Sequence, residues 1–185
     1  MHTNLALKEW SVVVAALDKG EQIVLIRKGG IAEKDFEVKS SMFLFYPTFF
    51  HEMERLVDSR YQVLLQEASI GASNESIAIT NWAIVDEIFP TQNLEGMLKI
   101  SNHYVYTPSY IKERLDWRAE KPAKLLFVRV FRLKEPAKIT VNSKYRGCKS
   151  WVDLDKMLDL EGSRQVMSEQ EFQARKEAIK AEIVG

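Results

Sequence analysis

The sequence predicts an α+β fold in a single domain spanning residues 1–185. Several strand-like segments alternate irregularly with helical ones, without the βαβ repetition of a doubly wound sheet. The chain of 185 residues is 46% hydrophobic and 28% charged, which is typical of one folded domain with a sizeable core and argues against a disordered chain. Neither an internal repeat nor a Pro/Gly-rich linker indicates a domain boundary.

The first elements are predicted as a helix followed by a strand. A helix over about Leu5–Asp18, ended by Gly20, is indicated by the apolar spacing of Ala6, Trp10, Val13 and Leu17. The β-branched triplet Val12–Val14 leaves a strand open as the alternative. Ile23–Ile26 is a continuous apolar run that stops at Gly29-Gly30, the pattern of a buried strand.

A strand, a long helix and a second strand are predicted next. The strand covers Met42–Tyr46 and is closed by Pro47. Thr48 is a suitable N-cap for a helix to about Ala68, whose apolar stripe contains Met53, Val57, Tyr61, Leu64 and Ala68. Ser73–Ser76 is predicted as a loop. Ile77–Phe89 is rich in β-branched and aromatic residues and is predicted as a strand.

The C-terminal half has two clear helix starts. Thr107-Pro108 combines a cap with proline at the first helical position and begins a helix to about Trp117. Lys124–Lys134 is the strongest strand pattern in the chain, and Ile139–Val141 is a further short strand. A final helix over about Ser168–Ile183 begins with the capping-box spacing of Ser168 and Glu171.

Charge is segregated along the chain although the net charge is +0. Residues 112–149 contain twelve Lys/Arg against four Asp/Glu, a local charge of +8, so the rest of the chain carries −8. Such an excess is typical of a polyanion-binding surface. Two outcomes stay open: a contiguous basic face, or dispersal of these residues and pairing with acids from elsewhere.

The sequence predicts a cytoplasmic protein without a membrane span. The early apolar run Val12–Leu17 is too short to cross a bilayer and lacks a cleavage site. The single cysteine, Cys148, forms no internal disulfide. As a thiol nucleophile it would need His51 or His103 as base, and packing is the alternative. One cysteine and three histidines show no zinc-ligand spacing, so no cofactor or metal is expected.

The most informative candidate for binding is a face of the predicted strand at Lys124–Lys134. Phe127, Arg129 and Phe131 alternate onto one side, so that two rings flank a guanidinium. On a surface, this set stacks bases and holds phosphate. If the face points inward, Arg129 requires a carboxylate partner as a structural ion pair. The two-residue period of a strand cannot distinguish an exposed binding face from a buried face with an ion pair.

Further basic candidates flank this strand. Arg27-Lys28 precede a glycine pair, which presents backbone amides to an anion or simply forms a tight turn. Arg114 and Arg118 stand one helical turn apart, and either grip phosphates or are solvated.

A metal-dependent nuclease is the enzymatic alternative. Glu37-Val38-Lys39 matches the E-x-K pattern, with Asp18 and Asp35 upstream as possible Mg²⁺ ligands. A three-residue pattern is common by chance in a charged protein. Whether the protein is an enzyme stays open on the sequence.

Several stretches in order resemble a bacterial family of domains of unknown function, numbered eighteen-oh-two. They are residues 6–10 (Ala-Leu-Lys-Glu-Trp), 27–31 (Arg-Lys-Gly-Gly-Ile), Tyr46-Pro47-Thr48 with His51, residues 114–117 (Arg-Leu-Asp-Trp), Lys121-Pro122, Arg129-Val130 and residues 147–151 (Gly-Cys-Lys-Ser-Trp). The family has Phe-Pro-Thr where this chain has Tyr46-Pro47-Thr48, and the Glu37/Lys39 pair is outside its pattern.

The resemblance implies no established activity. Some relatives stand beside restriction-type endonuclease domains, which implies a link to DNA defence by association. A second likeness, to PUA-like and ASCH-type barrels, implies a small mixed β-barrel or curved sheet with flanking helices. Those folds often hold RNA or a modified base.

We therefore expect a nucleic-acid-binding module, with DNA or RNA and a possible protein partner in a defence system as partners, and no membrane. A protein-interaction subunit with a basic face is a further alternative. The expected binding residues are Arg27, Lys28, Arg114, Trp117, Arg118, Lys121, Phe127, Arg129, Phe131, Lys149 and Trp151.

Overall fold

The computed structural model describes residues 1–29, 35–49, 53–70 and 75–185. These residues form strands β1 (His2–Trp10), β2 (Val24–Arg27), β3 (Met42–Thr48), β4 (Ser76–Thr91), β5 (Ala123–Thr140), β6 (Trp151–Asp159) and β7 (Arg164–Gln165). The helices are α1 (Ser11–Asp18), α2 (Met53–Leu56), α3 (Gln62–Ser69), α4 (Leu94–Lys99), α5 (Pro108–Asp116) and α6 (Glu169–Val184). Short 3₁₀ turns cover Ser59–Tyr61, Ile100–His103 and Ser143–Tyr145.

The strands form one mixed sheet in the order β2-β5-β4-β3-β1-β6, with β7 also paired to β5. Only the β1–β3 pair is parallel among the described strands. The sheet curls so that Arg27, at the end of β2, donates hydrogen bonds of 2.7 Å to the Lys8 carbonyl and the Glu9 carboxylate of β1. The predicted α+β class with a curved mixed sheet is confirmed.

The two faces of the sheet bury separate cores. Phe43 and Phe45 of β3 pack into the larger core with the helices, whereas Leu44 and Tyr46 pack into a second core between strands. This division follows from the alternation of side chains along a strand. The curvature therefore lets residues on both faces of β3 be buried.

The predicted helix over Leu5–Asp18 is wrong in its first half. Residues up to Trp10 form β1, and α1 begins only at Ser11. β1 is paired on both sides, by β3 and β6. Its consecutive residues Ala6 and Leu7 are buried in the two different cores. Pairing on both edges overrides the local helical spacing, because a central strand satisfies its backbone and buries both faces.

The predicted helix from Thr48 to Ala68 is also wrong in its start. Thr48 belongs to β3, and its hydroxyl donates to the Glu9 carbonyl at 3.0 Å instead of capping a helix. The helical part is divided into α2, a 3₁₀ turn and α3, with the Asp58 side chain capping the turn. Residues 50–52 lie outside the described chain, as do residues 73 and 74 of the predicted loop. Ser76, the end of that loop prediction, begins β4.

Other predicted elements are confirmed with small changes in bounds. They are β2, β3, β4, α5 and α6, the last with both hydrogen bonds of its capping box. The two strands predicted at Lys124–Lys134 and Ile139–Val141 belong largely to one long strand, β5. The sequence interpretation missed α4, β6 and β7. Among the described residues, no helix has the length and apolar character required to span a membrane.

Candidate functional site

A cleft of about 480 Å³ lies where the ends of β1 and β2, helix α5 and residues 147–150 meet. It is called the α5 cleft below. Its lining consists of Lys8, Glu9, Trp10, Ile26, Arg27, Gly29, Phe36, Thr48, Tyr106, Tyr110, Arg114, Trp117, Gly147, Cys148, Lys149 and Ser150.

The charge of the α5 cleft is predominantly positive. Lys8, Arg27, Arg114 and Lys149 line it, and Glu9 is the one acid among the described lining residues. Glu9 Oε2 accepts from Arg27 at 2.7 Å, and the two side chains are only 4% and 14% exposed. This pair is internally balanced, so Lys8, Arg114 and Lys149 are the cations without a balancing acid among the described lining residues.

Arg114 is held at the cleft by the end of β2. Its Nη2 donates to the Gly29 carbonyl at 3.2 Å. Gly29 has φ +72, and a Cβ there would lie 3.3 Å from the backbone of Asp35, so glycine permits this turn. The Nε of Arg114 is buried without a hydrogen-bond partner in the part of the chain that the structure describes. A guanidinium with an unsatisfied donor favours an anionic ligand nearby.

A second basic feature forms the rim. Lys8 Nζ donates to the Gly147 carbonyl at 3.1 Å, and the Lys8 backbone amide donates to the Ser150 carbonyl at 2.8 Å. Burial, together with the nearby charge of Lys149, lowers the pKa of the Lys8 amine. Like charges lining one cleft repel each other, so an anion bound near both amines relieves the repulsion.

One wall of the α5 cleft is aromatic. The ring centroid of Trp10 lies 5.1 Å from that of Tyr106 and 5.1 Å from that of Tyr110, and the two tyrosine rings are 4.8 Å apart. Burial raises the pKa of both phenols, and the Glu9 charge raises that of Tyr106 further. The hydroxyls therefore stay protonated at neutral pH and can donate hydrogen bonds.

Trp117 supplies a further, accessible ring to the lining of the α5 cleft. It closes α5, where its amide donates to the Glu113 carbonyl at 3.0 Å, and the next residue, Arg118, has φ 50, as at many helix ends. Its side chain is 42% exposed. The Arg118 guanidinium lies 5.5 Å from the indole centroid, a cation–π contact that helps to orient the ring.

The structure brings four of the expected binding residues together in the α5 cleft: Arg27, Arg114, Trp117 and Lys149. Lys28 is not among them. It is 2% exposed, and its amine donates to the Leu115 carbonyl, so it ties the end of β2 to α5. Burial lowers the pKa of this amine. The prediction that Lys28 contacts phosphate is therefore wrong, because its donor is turned into the protein.

The predicted stacking platform on β5 does not form. Phe127 is fully buried, and Phe131 stacks on Trp82 with centroids 4.2 Å apart. Arg129 lies 3.4 Å from Asp86 and 3.5 Å from Glu169, so the structural ion pair is the correct alternative. The Phe127 ring is therefore inaccessible to a base, and one face of the Phe131 ring is already covered by Trp82.

Trp151 is also buried, contrary to the expectation. It is 6% exposed and packs against Phe36 and Phe43, with centroids 6.0 and 5.2 Å away. Its Nε1 donates to the Glu37 carbonyl at 2.9 Å. Trp151 therefore anchors the segment before β3 and cannot stack on a ligand.

The basic segment 112–149 is divided by folding. At least four of its cations pair with acids from outside the segment, as Lys124–Asp35, Arg129–Asp86, Arg132–Asp18 and Lys144–Asp155. One contiguous basic face from all twelve is thus not formed. Arg114 and Lys149, near the two ends of the segment, meet in the α5 cleft, while Arg118 and Lys121 lie at the turn after α5.

Sequence reasoning did not select five of the lining residues: Lys8, Glu9, Trp10, Tyr106 and Tyr110. The first three were assigned to a helix, which hid their position at the end of a strand. The tyrosines follow one another closely in the run Tyr104–Tyr110. This local density of aromatic residues beside a helix start was the available signal.

The two enzymatic alternatives are not assembled in the described chain. Glu37 and Lys39 are exposed, and no group of three His, Cys, Asp or Glu among the described residues could hold a metal ion. Cys148 lines the cleft, but His103 accepts from Arg175 of α6 at 3.4 Å, outside the cleft lining. His51, the other candidate base, lies outside the described residues.

Comparisons with known proteins found similar solved structures and a matching family model. The chain is similar to the crystal structure of ASCH from Zymomonas mobilis, with TM-score 0.46, 10% identity and coverage of 82% of this chain and 87% of that chain. A serine-to-alanine mutant of that protein gives TM-score 0.46, 9% identity and coverage of 94% of each chain. No curated protein matches. The family described as "Domain of unknown function (DUF1802)" matches residues 6–178. The chain therefore belongs to the DUF1802 family.

Proposed function

We propose that the α5 cleft binds single-stranded nucleic acid. Arg114, Lys149 and Lys8 contact phosphate oxygens, and Trp117 stacks on a base. The observation that carries the proposal is that three cations of the cleft have no balancing acid among the described lining residues and lie in one cleft with an accessible indole. A positive groove with a stacking ring is the usual composition of a site for unpaired strands.

The shape of the cleft favours an unpaired strand over a duplex. A volume of about 480 Å³ is in the range of small-ligand pockets, which accommodates one or two nucleotides at a time. Stacking on Trp117 also requires a base face that is not covered by a neighbouring base pair. An acidic protein partner would account for the cations of the cleft but leaves the exposed Trp117 indole unexplained.

Replacing Arg114 with alanine is expected to weaken binding of a single-stranded 12-mer about 10-fold, because a charge-assisted contact to phosphate is lost. The slope of log affinity against log salt falls by about 0.7. Fluorescence anisotropy with labelled RNA and DNA, titrated in salt, measures both quantities. Lys112→Ala is the matched control, since it removes one charge from the exposed side of the same helix. Equal losses in the two variants contradict a specific site.

Replacing Trp117 with alanine tests the stacking contact separately. We expect a loss of about 2 kcal/mol in binding free energy with an unchanged salt slope, because stacking releases no counterions. The same titrations measure it, and Met157→Ala removes a similarly exposed apolar side chain elsewhere (54% exposed) as the control. A Trp117 variant that binds like the wild type would show that the indole has another role.

The same titrations, followed by a gel of the samples, also distinguish a binding module from a nuclease and from a protein-interaction subunit. Strands that stay intact on a gel with Mg²⁺ support a binding module, whereas metal-dependent cleavage abolished by Glu37→Ala supports the nuclease. Absence of binding to any strand at low salt leaves the protein-interaction alternative. A role in DNA defence rests on the family resemblance and follows only if DNA is the preferred strand.

A further inference from the structure

We infer that Glu9 reads the bound base and that the α5 cleft selects guanine. This inference rests on the proposed function of the same cleft and adds its specificity. It follows from the position of one carboxylate, its hydrogen bonds and the guanidinium beside it.

Glu9 is the one carboxylate among the described residues that line the cleft. Its Oε1 accepts from the Trp10 amide at 2.8 Å, and its Oε2 accepts from Arg27 at 2.7 Å. An ionised carboxylate has about four lone-pair positions, so acceptor capacity remains on both oxygens. A carboxylate only accepts hydrogen bonds, and Arg27 lies beside Glu9 as a fixed donor.

The groups around Glu9 suit a flat ring. Trp10, Tyr106 and Tyr110 form the adjoining aromatic wall, and Trp117 lines the same cleft from α5. A base that enters along this wall presents its edge to Glu9. Apolar walls with few polar groups are the usual way in which a pocket fixes the orientation of a ring.

An acceptor-only carboxylate distinguishes the four bases by their edges. Guanine presents two adjacent donors, the N1–H and the N2 amino group, to both carboxylate oxygens. Adenine and cytosine place one amino donor beside a ring nitrogen acceptor, and uracil places one N–H between two carbonyls. In those three cases a carboxylate oxygen faces a lone pair, which is repulsive.

Arg27 completes the match. Its Nη2 already donates to the Lys8 carbonyl and to Glu9, and its Nε has no hydrogen-bond partner among the described residues, so donor capacity remains beside the carboxylate. The Glu9–Arg27 pair therefore presents acceptors next to a donor group, the complement of guanine, whose O6 acceptor follows the two donors. Bidentate recognition of this type discriminates between bases more strongly than a single hydrogen bond.

Three uridine-rich 12-mers with one central guanine, inosine or adenine provide the test, using wild-type protein and fluorescence anisotropy. Inosine lacks only the N2 amino group, and adenine is a purine that controls for stacking. We expect guanine to bind about 10-fold more tightly than adenine, with inosine in between. In Glu9→Gln, whose fold is checked by circular dichroism, the preference for guanine over inosine should disappear.

The outcomes separate this inference from the proposed function. Equal affinity for the three strands overturns guanine selection and leaves nucleic-acid binding in place. No binding of any strand at low salt overturns both. If Glu9→Gln does not fold, the wild-type series alone decides, because the inosine comparison requires no variant.

Discussion

Asp86→Ala is expected to lower the free energy of unfolding by about 3 kcal/mol, because the substitution leaves the buried Lys176 amine without its shortest ion pair. Asp86 Oδ2 accepts from Lys176 of α6 at 2.7 Å, and Oδ1 lies 3.4 Å from Arg129 of β5. The Asp86 and Lys176 side chains are only 14% and 10% exposed. Urea denaturation followed by tryptophan fluorescence measures the change.

Glu177→Ala is the matched control for this variant. Glu177 lies 3.8 Å from the same Lys176 amine, but its side chain is 64% exposed. Exposed ion pairs contribute about 0–1 kcal/mol, so the control should stay close to the wild type. Equal effects of the two substitutions would contradict a buried network that ties α6 to the sheet.

The difference in stability between the wild type and Asp86→Ala should depend on pH with a defined sign. The hydrogen bond to Asp86 is the main cause that raises the pKa of Lys176 above its ordinary value of 10.5. A raised pKa in the folded state stabilises the fold fully below 10.5 and loses this contribution as pH rises through the folded-state pKa. The stability gap between wild type and Asp86→Ala should therefore be constant at neutral pH and narrow above pH 10.5.

Gly96→Ala is expected to destabilise the fold by about 2 kcal/mol, although alanine has a helix propensity about 1 kcal/mol more favourable than that of glycine. Gly96 lies in α4 against the C-terminal turn of α6. A Cβ there would meet the Ile183 carbonyl oxygen and lie 2.9 Å from the Ile183 Cα. The clash involves backbone atoms, which cannot move without breaking the 2.7 Å hydrogen bond from Asn93 Nδ2 to the same carbonyl.

Thermal unfolding by circular dichroism measures this effect, and Glu95→Ala is the control. Glu95 neighbours Gly96 in α4 and its side chain is 82% exposed, so a change within about 0.5 kcal/mol is expected. A Gly96→Ala protein as stable as the wild type would mean that α6 can shift away from α4 at little cost. Both helices lie outside the α5 cleft lining, so binding by the folded fraction should not change.

The elements that the sequence predicted well depend on local signals. The start of α5 follows from Thr107 and Pro108, and the Thr107 hydroxyl accepts from the Tyr110 amide at 3.3 Å as its N-cap role requires. The capping box of α6 is equally local. β4 and β2 are runs of β-branched and apolar residues, whose composition identifies buried strands without knowledge of their partners.

The site was predicted only in part, because its residues come from distant segments. Arg27 pairs with Glu9, 18 residues away, and Arg114 bonds to Gly29, 85 residues away. The basic residues of 112–149 were visible in the sequence, but their partners were not. Lys124 meets Asp35 across 89 positions, so pairing decided which cations stay available for a ligand.

The sequence by itself determined the α+β class, the family and the local helix and strand signals. The tertiary structure decided that residues before Ser11 form a strand and that Phe127 and Trp151 are buried. It also decided that Arg129 pairs with acids, and that Lys8, Arg114 and Trp117 share one cleft. The physical reason is that periodicity reports only which residues share a face. Which face is buried is set by sheet curvature and by partners far away in the chain.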